Sequence, residues 1–220
     1  AIGWIVSEEA FMQPLRKVIS KLKLRASYGQ VGNANLGGRR FAYLSTITDD
    51  YETLNMYKWG LDSSYGLTGM AEGEFAVQDL TWEIVNKMNL GVELGFLNGM
   101  IDLQLDYFDE RRKDIFMPRE SVPMTAGFMK QPWKNFGKVT NQGVEVSLNV
   151  NKQFGKDLFV SLMGTFTYAH NEITEKDEPS AVVGTNRAET GHPVGQLTGY
   201  IAEGLFTADD FEDVSTGKLK

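Results

Sequence analysis

The sequence contains no cysteine, which excludes disulfide bonds, thiolate catalysis and cysteine-ligated zinc. It has two histidines, His170 and His192, so an imidazole-rich metal site is not expected. Neither histidine has a serine or an acidic residue at a recognisable motif spacing, so a nucleophilic triad has no support. We therefore predict no cofactor, no metal site and no enzymatic activity.

The sequence also lacks long hydrophobic runs and a surplus of basic residues. No stretch approaches about 18 consecutive apolar residues, which excludes a spanning α-helix but not membrane strands, which are short and half polar. Lys and Arg number 22 against 29 Asp and Glu, a net charge of −7, so nucleic acid is not an expected partner. The 42% hydrophobic content indicates a folded chain. We expect 1–220 to be one partial domain of a longer protein.

Strict alternation of apolar and polar residues is the strongest signal that the sequence does contain. One pair of alternating segments flanks Asn98-Gly99, whose tolerance of positive φ marks a hairpin turn. A second pair flanks a turn at Phe154–Asp157. The predicted strands, with successive ones pairing antiparallel, are 22–29, 82–97, 100–109, 139–153 and 158–170.

The segments between these strands differ greatly in length. The hairpin turns have about two to four residues, whereas the other connections run to dozens, at 32–81, 110–138 and 171–220. Outer-membrane barrels show this asymmetry, with tight periplasmic turns and long extracellular loops. Ahead of the first strand, Phe11, Leu15 and Val18 recur at helical spacing behind Ser7 as a candidate cap, which predicts a short periplasmic helix.

The position of the aromatic residues separates a membrane sheet from a soluble one. Alternation alone fits any half-buried antiparallel sheet, but Tyr and Trp favour membrane–water interfaces. Aromatic residues share the parity of the apolar stripe at both ends of the strands. Two membrane girdles are predicted, formed by Tyr28, Trp82, Tyr107 and Tyr168 on the loop side and by Phe96 and Phe154 on the turn side.

The residues of opposite parity are polar, and we predict that they face a lumen. They are Glu93, Asp102, Gln104, Asp106 and Glu145. Asp102 and Asp106 lie about 13 Å apart along a strand, farther than the roughly 5–9.5 Å that glycoside hydrolysis uses, so they are not predicted to be catalytic.

Five aromatic residues in the predicted outer loops are candidates for contact with a substrate, because their rings could stack on sugars or peptide side chains. The alternative is that they pack the loops together or against another protein. They are Tyr57, Trp59, Tyr65, Trp133 and Phe136.

Short motifs follow one another in a fixed order through nearly the whole chain. They are Gly3-Trp4, Ser7–Phe11, Leu22–Asn33, Leu80–Glu83, Asn89–Gly91, Asp106–Phe108, Lys113–Ile115, Asn141–Glu145, His170–Ile173, Gly199-Tyr200 and Gly204–Phe206. Together they resemble the late barrel segments of SusC/RagA-type TonB-dependent outer-membrane transporters. The resemblance implies an all-β fold, part of the C-terminal half of a transmembrane barrel of about 22 antiparallel strands.

The same resemblance implies partners and a location. A plug domain and a TonB-contacting segment, both outside these residues, and a SusD-like lipoprotein lid would serve import of glycans or peptides across the lipid of a Gram-negative outer membrane. Two other functions stay open. One is a soluble or surface-exposed carbohydrate-binding β-domain without transport, and the other is an outer-membrane enzyme, for which no site is found.

Two geometric expectations follow for the sheet. Roughly six strands cannot close a barrel when about eight is the practical minimum, so an open arc is predicted. The apolar stripe should share one face and turn outward, because lipid is as apolar as a protein core. Its members are Leu90, Val92, Leu94, Ile101, Leu103, Leu105, Val146, Leu148, Val150, Val160 and Leu162.

Overall fold

The computed structural model describes residues 1–48, 57–59, 65–67, 70–128, 130–202, 204–213 and 215–219. Its regular structure is almost entirely β. In chain order the strands are β1 (Ile2–Ile5), β2 (Ile19–Asn33), β3 (Ile47–Thr48), β4 (Tyr57–Trp59), β5 (Tyr65–Leu67), β6 (Ala71–Glu72), β7 (Glu83–Phe96), β8 (Ile101–Pro118), β9 (Trp133–Phe154), β10 (Leu158–Glu175), β11 (Phe211–Asp213) and β12 (Lys218–Leu219). The described 3₁₀ helices are Val6–Glu8, Ala10–Leu15, Met124–Ala126 and Ala208–Asp210.

The long strands form one antiparallel sheet in the order β1-β2-β7-β8-β9-β10. The short strands pair separately, β3 with β6, β4 with β5 and β11 with β12. Within the described residues, β1 and β10 are the edges of the large sheet, which is therefore open. The predicted strands and the open arc are confirmed. No described helix has the length and hydrophobicity needed to cross a bilayer.

The strands extend farther toward the loops than the alternation predicts. Strand β8 continues to Pro118, where it pairs with Trp133 of β9. Strand β9 has 22 residues, about 70 Å at roughly 3.3 Å per residue, whereas the apolar band of a barrel is about 25 Å tall. The hydrogen-bond ladder therefore continues where hydrophobic alternation stops. The prediction that Trp133 and Phe136 lie in a loop is wrong, because both belong to β9.

The first predicted turn is longer than a two-residue hairpin. Phe96 pairs with Ile101, so four residues connect β7 to β8, and Leu97, Asn98 and Gly99 all have positive φ, at 52°, 58° and 83°. The Phe96 carbonyl accepts a hydrogen bond from Gly99 N at 3.1 Å. Asn98-Gly99 thus lies inside the turn as predicted, while Leu97 extends the left-handed backbone by one residue.

The predicted helix before β2 is wrong in type. The segment forms the two short 3₁₀ helices Val6–Glu8 and Ala10–Leu15, with Pro14 inside the second. Pro14 has no N–H to donate, which disfavours a continuous α-helix. Ser7 lies within the first helix and is 2% exposed, so it is not the cap. Its carbonyl accepts a hydrogen bond from Arg16 Nε at 2.7 Å, which closes the β1–β2 connection.

The cross-strand register puts the predicted apolar stripe on one face, because residues directly opposite each other in an antiparallel pair share a face. Three successive rows across β2, β7, β8 and β9 define this apolar face: Leu22-Leu94-Leu103-Leu148, Leu24-Val92-Leu105-Val146 and Ala26-Leu90-Tyr107-Val144. The opposite, polar face carries Glu93, Gln104 and Asp106.

Burial across the sheet is the reverse of what a soluble protein shows. Every buried residue of β7, β8, β9 and β10 lies on the polar face, Val85 and Asp106 among them. On the apolar face, Leu90 is 46% exposed, Leu162 61% and Phe166 62%. The hydrophobic side chains of the apolar face are therefore not covered by the described part of the chain.

Two glycines provide a test of packing on the two faces. A Cβ at Gly143 would lie 2.6 Å from Phe108 Cζ on the polar face and would also meet the Tyr168 carbonyl oxygen. We expect Gly143→Ala to destabilise the full-length barrel by about 1–3 kcal/mol through overpacking, measured as a lower urea midpoint in lipid vesicles. Gly164→Ala is the matched control, because nothing lies within 4 Å of its Cβ position. Equal midpoints for the two variants would contradict this packing.

Candidate functional site on the polar face

A network of charged side chains crosses three strands on the polar face. Glu93 of β7 contacts three cations of β2: Lys21 Nζ is 2.7 Å from its carboxylate, Arg25 Nε 2.9 Å and Lys23 Nζ 3.3 Å. Alternation of side chains along β2 puts these cations on one face, and the register sets Lys23 opposite Glu93. Glu93 thus binds three neighbouring cations at once.

The network continues to β8 through Asp106. Arg25 Nη2 donates to both carboxylate oxygens of Asp106, at 2.9 and 3.0 Å. Gln104 Nε2 donates to the same carboxylate at 2.7 Å, and the Asp106 side chain is 8% exposed. Arg25 Nε lies within ion-pair distance of Glu93, but its N–H is not aligned for a hydrogen bond. The carboxylates are thus engaged by lysine and arginine side chains, an arrangement suited to a charged wall rather than to acid–base catalysis.

Gly91 makes room for this network. A Cβ at Gly91 would lie 2.6 Å from Asp106 Oδ1 and 2.9 Å from Arg25 Nη2. A larger residue would therefore separate the pair. Close packing on the polar face thus explains why the motif Asn89–Gly91 has a glycine at its last position.

The five residues predicted to face a lumen all lie on the polar face. Asp106, Gln104 and Glu93 belong to one network. Glu145 of β9 lies directly opposite Asp106 in the strand register, and Asp102 lies beside Gly95. Sequence reasoning did not include Lys21, Lys23 and Arg25 in the site. The parity of Lys23 and Arg25 within 22–29 indicates the polar face, but their carboxylate partners depend on the register. That these residues line a lumen remains a prediction.

The ion network makes a prediction about stability. Asp106→Asn removes the charge that faces the partly buried Arg25 guanidinium, which is 31% exposed. We expect a loss of about 1–3 kcal/mol in the unfolding free energy of the full-length protein. The matched control is Lys87→Gln, which breaks the more exposed Lys87–Glu110 pair and should cost about 0–1 kcal/mol. The prediction is wrong if urea unfolding gives the same loss for both.

The predicted girdle residues lie at the ends of the apolar face. Tyr28, Tyr107 and Tyr168 share that face toward the loops. The Trp82 ring packs against Gly32, four residues farther along β2 than Tyr28, and is 63% exposed. Between Leu158, the partner of Phe154, and Tyr168, β10 covers about 33 Å. At a tilt of about 40° this is about 25 Å, the height of an apolar membrane band. The spacing supports the girdles, which remain a prediction.

The candidate substrate-contacting aromatics fall into two groups. Trp133 and Phe136 contact cations of the same chain: Arg39 Cζ is 4.2 Å from the Trp133 ring centroid, and Arg119 Cζ is 5.7 Å from that of Phe136. Through these contacts, both rings pack against outer segments of the same chain. Tyr57, Trp59 and Tyr65 lie in the β4–β5 ladder, and their side chains fall outside the described part of the structure.

Glu74 joins two outer segments beside Trp133. It accepts a hydrogen bond from Lys130 Nζ at 2.9 Å and pairs with Arg39. The Lys130 hydrogen bond, with help from Arg39 and against partial burial, holds the pKa of Glu74 below its ordinary value. Glu74 thus connects the segment after β2 to the segment after β8.

A lowered carboxyl pKa makes this bridge sensitive to acid. Because the folded-state pKa is depressed, the stabilisation is complete above about pH 4.3, the ordinary pKa of glutamate, and is lost as pH falls through the lower folded value. We expect acid to accelerate hydrogen exchange of 119–132, after correction for intrinsic rates, and Glu74→Gln to accelerate it already at pH 7. Glu72→Gln is the nearby control. Unchanged exchange in Glu74→Gln at pH 7 would contradict the bridge.

Comparison with known proteins identifies the class to which this sheet belongs. Residues 15–210 match the family model of the TonB dependent receptor-like β-barrel. The chain belongs to this family of TonB-dependent receptors, and within it to the SusC/RagA type.

Particular relatives agree with this membership. The chain is 34% identical over 178 residues to the TonB-dependent receptor SusC of Bacteroides thetaiotaomicron, covering 80% of this chain and 17% of SusC. It is 29% identical over 210 residues to the TonB-dependent receptor P39 of Formosa agariphila, covering 95% of this chain and 19% of P39. The chain thus spans about a fifth of the length of these relatives, which are named as receptors and not as enzymes.

Solved structures share the fold. A RagAB peptide importer in its closed-closed state superposes with a TM-score of 0.64 at 22% identity, covering 87% of this chain and 20% of that one. A RagAB peptide transporter gives a TM-score of 0.59 at 24% identity, covering 78% and 17%. These likenesses confirm an antiparallel barrel-wall fold.

Proposed function

We propose that this chain is part of the lipid-facing wall of a TonB-dependent importer in the outer membrane of a Gram-negative bacterium. The observation that carries the proposal is the reversed burial of the sheet, with exposed Leu, Val and Phe on one face and an ion network on the other. Lipid stabilises the first face and water the second. The wall itself performs no chemistry.

The backbone supports the same proposal. In a bilayer every backbone N–H and C=O needs a partner within the protein. From Leu22 to Asn33, β2 pairs residue by residue with β7, and β7 pairs continuously with β8 from Ile84 to Phe96. Such uninterrupted ladders meet that requirement across the membrane. In the whole protein the remaining strands would complete the barrel at the edges β1 and β10.

The partners and the cargo extend the proposal beyond this chain. The RagAB structures are named as peptide importers, which supports peptides as cargo, and glycans are the other cargo that the SusC/RagA resemblance implies. A SusD-like lipoprotein would cover the loop side, and TonB would act through a segment outside these residues. The exposed apolar face argues against the alternative of a soluble carbohydrate-binding domain, because such a domain would bury that face against a second sheet.

A pair of substitutions on neighbouring residues of β8 tests the membrane face. Leu103 lies in the apolar rows and Gln104 on the polar face. We expect Leu103→Arg to cost roughly 2–4 kcal/mol near the bilayer midplane, and Gln104→Arg to cost little, because an arginine there faces the Asp106 carboxylate. The measurement is urea unfolding of the full-length protein in lipid vesicles, with outer-membrane fractionation of both variants.

The outcomes separate the two functions. Loss of Leu103→Arg from the outer-membrane fraction, with Gln104→Arg retained, supports the wall. If the wild-type full-length protein fractionates with soluble proteins, the importer proposal fails. It also fails if both variants unfold at the same urea concentration in vesicles.

A further inference from the structure

The polar face contains a cavity that the import wall alone does not explain. The cavity has a volume of about 490 Å³, within the range of about 300–1,000 Å³ that ligand sites show. It lies toward the loops from the ion network. Its floor is an aliphatic row formed by Val85, Val139 and Ile173, which share one cross-strand row with Arg112.

An aliphatic row is unexpected on this face. The rows nearer the turns carry charged or amide side chains, as at Lys23-Glu93-Gln104, with Phe108 and Met163 among the exceptions. Val85 and Ile173 are each only 7% exposed, so most of each floor side chain is packed against the chain itself. A water-lined wall has no need of such a floor.

The segment that follows β10 folds back and forms one side of the cavity. Ile173 N donates to the His192 carbonyl at 2.9 Å, and Gly191 N donates to the Ile173 carbonyl at 2.8 Å. Val194 N donates to Asn171 Oδ1 at 2.7 Å. The cavity is therefore preformed, because these hydrogen bonds hold its side in place.

The rim carries both signs of charge in equal number. It is formed by Arg112, Lys138, Lys176, Glu110, Glu175 and Glu189. Lys138 Nζ lies 2.5 Å from Glu175, and Lys176 Nζ lies 2.7 Å from Glu189. Among the described residues that line the cavity, none is aromatic.

This lining matches one class of ligand. A sugar ring is usually bound through stacking on an aromatic ring and through free hydrogen-bonding groups, and here the rim charges are already paired. An aliphatic floor without free charges or aromatic rings among the described residues beside it fits a Leu, Ile or Val side chain. We propose that this cavity is a pocket for an aliphatic side chain of an imported peptide. The inference rests on the proposed import function and names its substrate class.

The test fills the cavity with a larger side chain that replaces one residue of its floor. Val139→Trp occupies the space from the middle of the row. Val144→Trp is the matched control on the same strand: it places the same ring on the apolar face beside Tyr107 and Tyr168, where Trp is tolerated at a membrane interface. The full-length protein with its lipoprotein partner, purified in detergent, is incubated with a tryptic digest of casein and, separately, with maltooligosaccharides. Bound ligand is identified by native mass spectrometry.

We expect the wild type and Val144→Trp to retain peptides enriched in Leu, Ile and Val. Val139→Trp should retain on the order of tenfold less of them. The proposal is overturned if Val139→Trp retains the same peptides as the wild type, if the wild type retains no peptide, or if it retains oligosaccharides that Val139→Trp loses. Outer-membrane fractionation of cells that express the same variants tests the import wall separately, so either idea can fail alone.

Discussion

The structure depends on one constraint: side chains alternate between two faces along a ladder whose backbone hydrogen bonds are continuous. A slip of one residue in any strand pair would move its whole apolar set to the other face. The apolar rows, the ion network and the aliphatic floor all follow from the same register. The described part of the sheet has no hydrophobic core of its own, so its apolar face has to be covered by surroundings outside this chain.

Alternation fixes the face, but it leaves the register open to slips of two residues, because one row of Leu and Val resembles the next. Discrete contacts between strands remove this freedom. In the observed pairing Arg25 reaches Glu93 and Asp106 together, and Gly91 leaves room for that bridge. Phe108 lies over Gly143 in the same way. The polar face therefore specifies the alignment, although the apolar face supplies most of the hydrophobic surface.

Alternation predicts the strands, their antiparallel pairing and the shared faces because these depend on local periodicity alone. It fails where polarity no longer alternates: β8 and β9 continue as a ladder past Asp109 and ahead of Val139. Alternation therefore places Trp133 and Phe136 wrongly in a loop. The 3₁₀ segment depends on Pro14 and on the closure by Arg16. The cations that pair with Glu93 and Asp106, and the cavity beside Ile173, require contacts between distant segments that no local pattern encodes.

The long strands from β2 to β10 neighbour one another in the order in which they occur along the chain, and this order has a consequence for biogenesis. Four residues separate β7 from β8 and three separate β9 from β10, so the entropy of loop closure is low for these two hairpins. Strand β7 instead pairs with β2 across 34–82, which is the largest loop to close within the sheet. The wall can then grow by adding one hairpin at a time at an exposed edge. Each added strand covers the previous edge and leaves its own edge open, and for the segment described here that growing edge is β10.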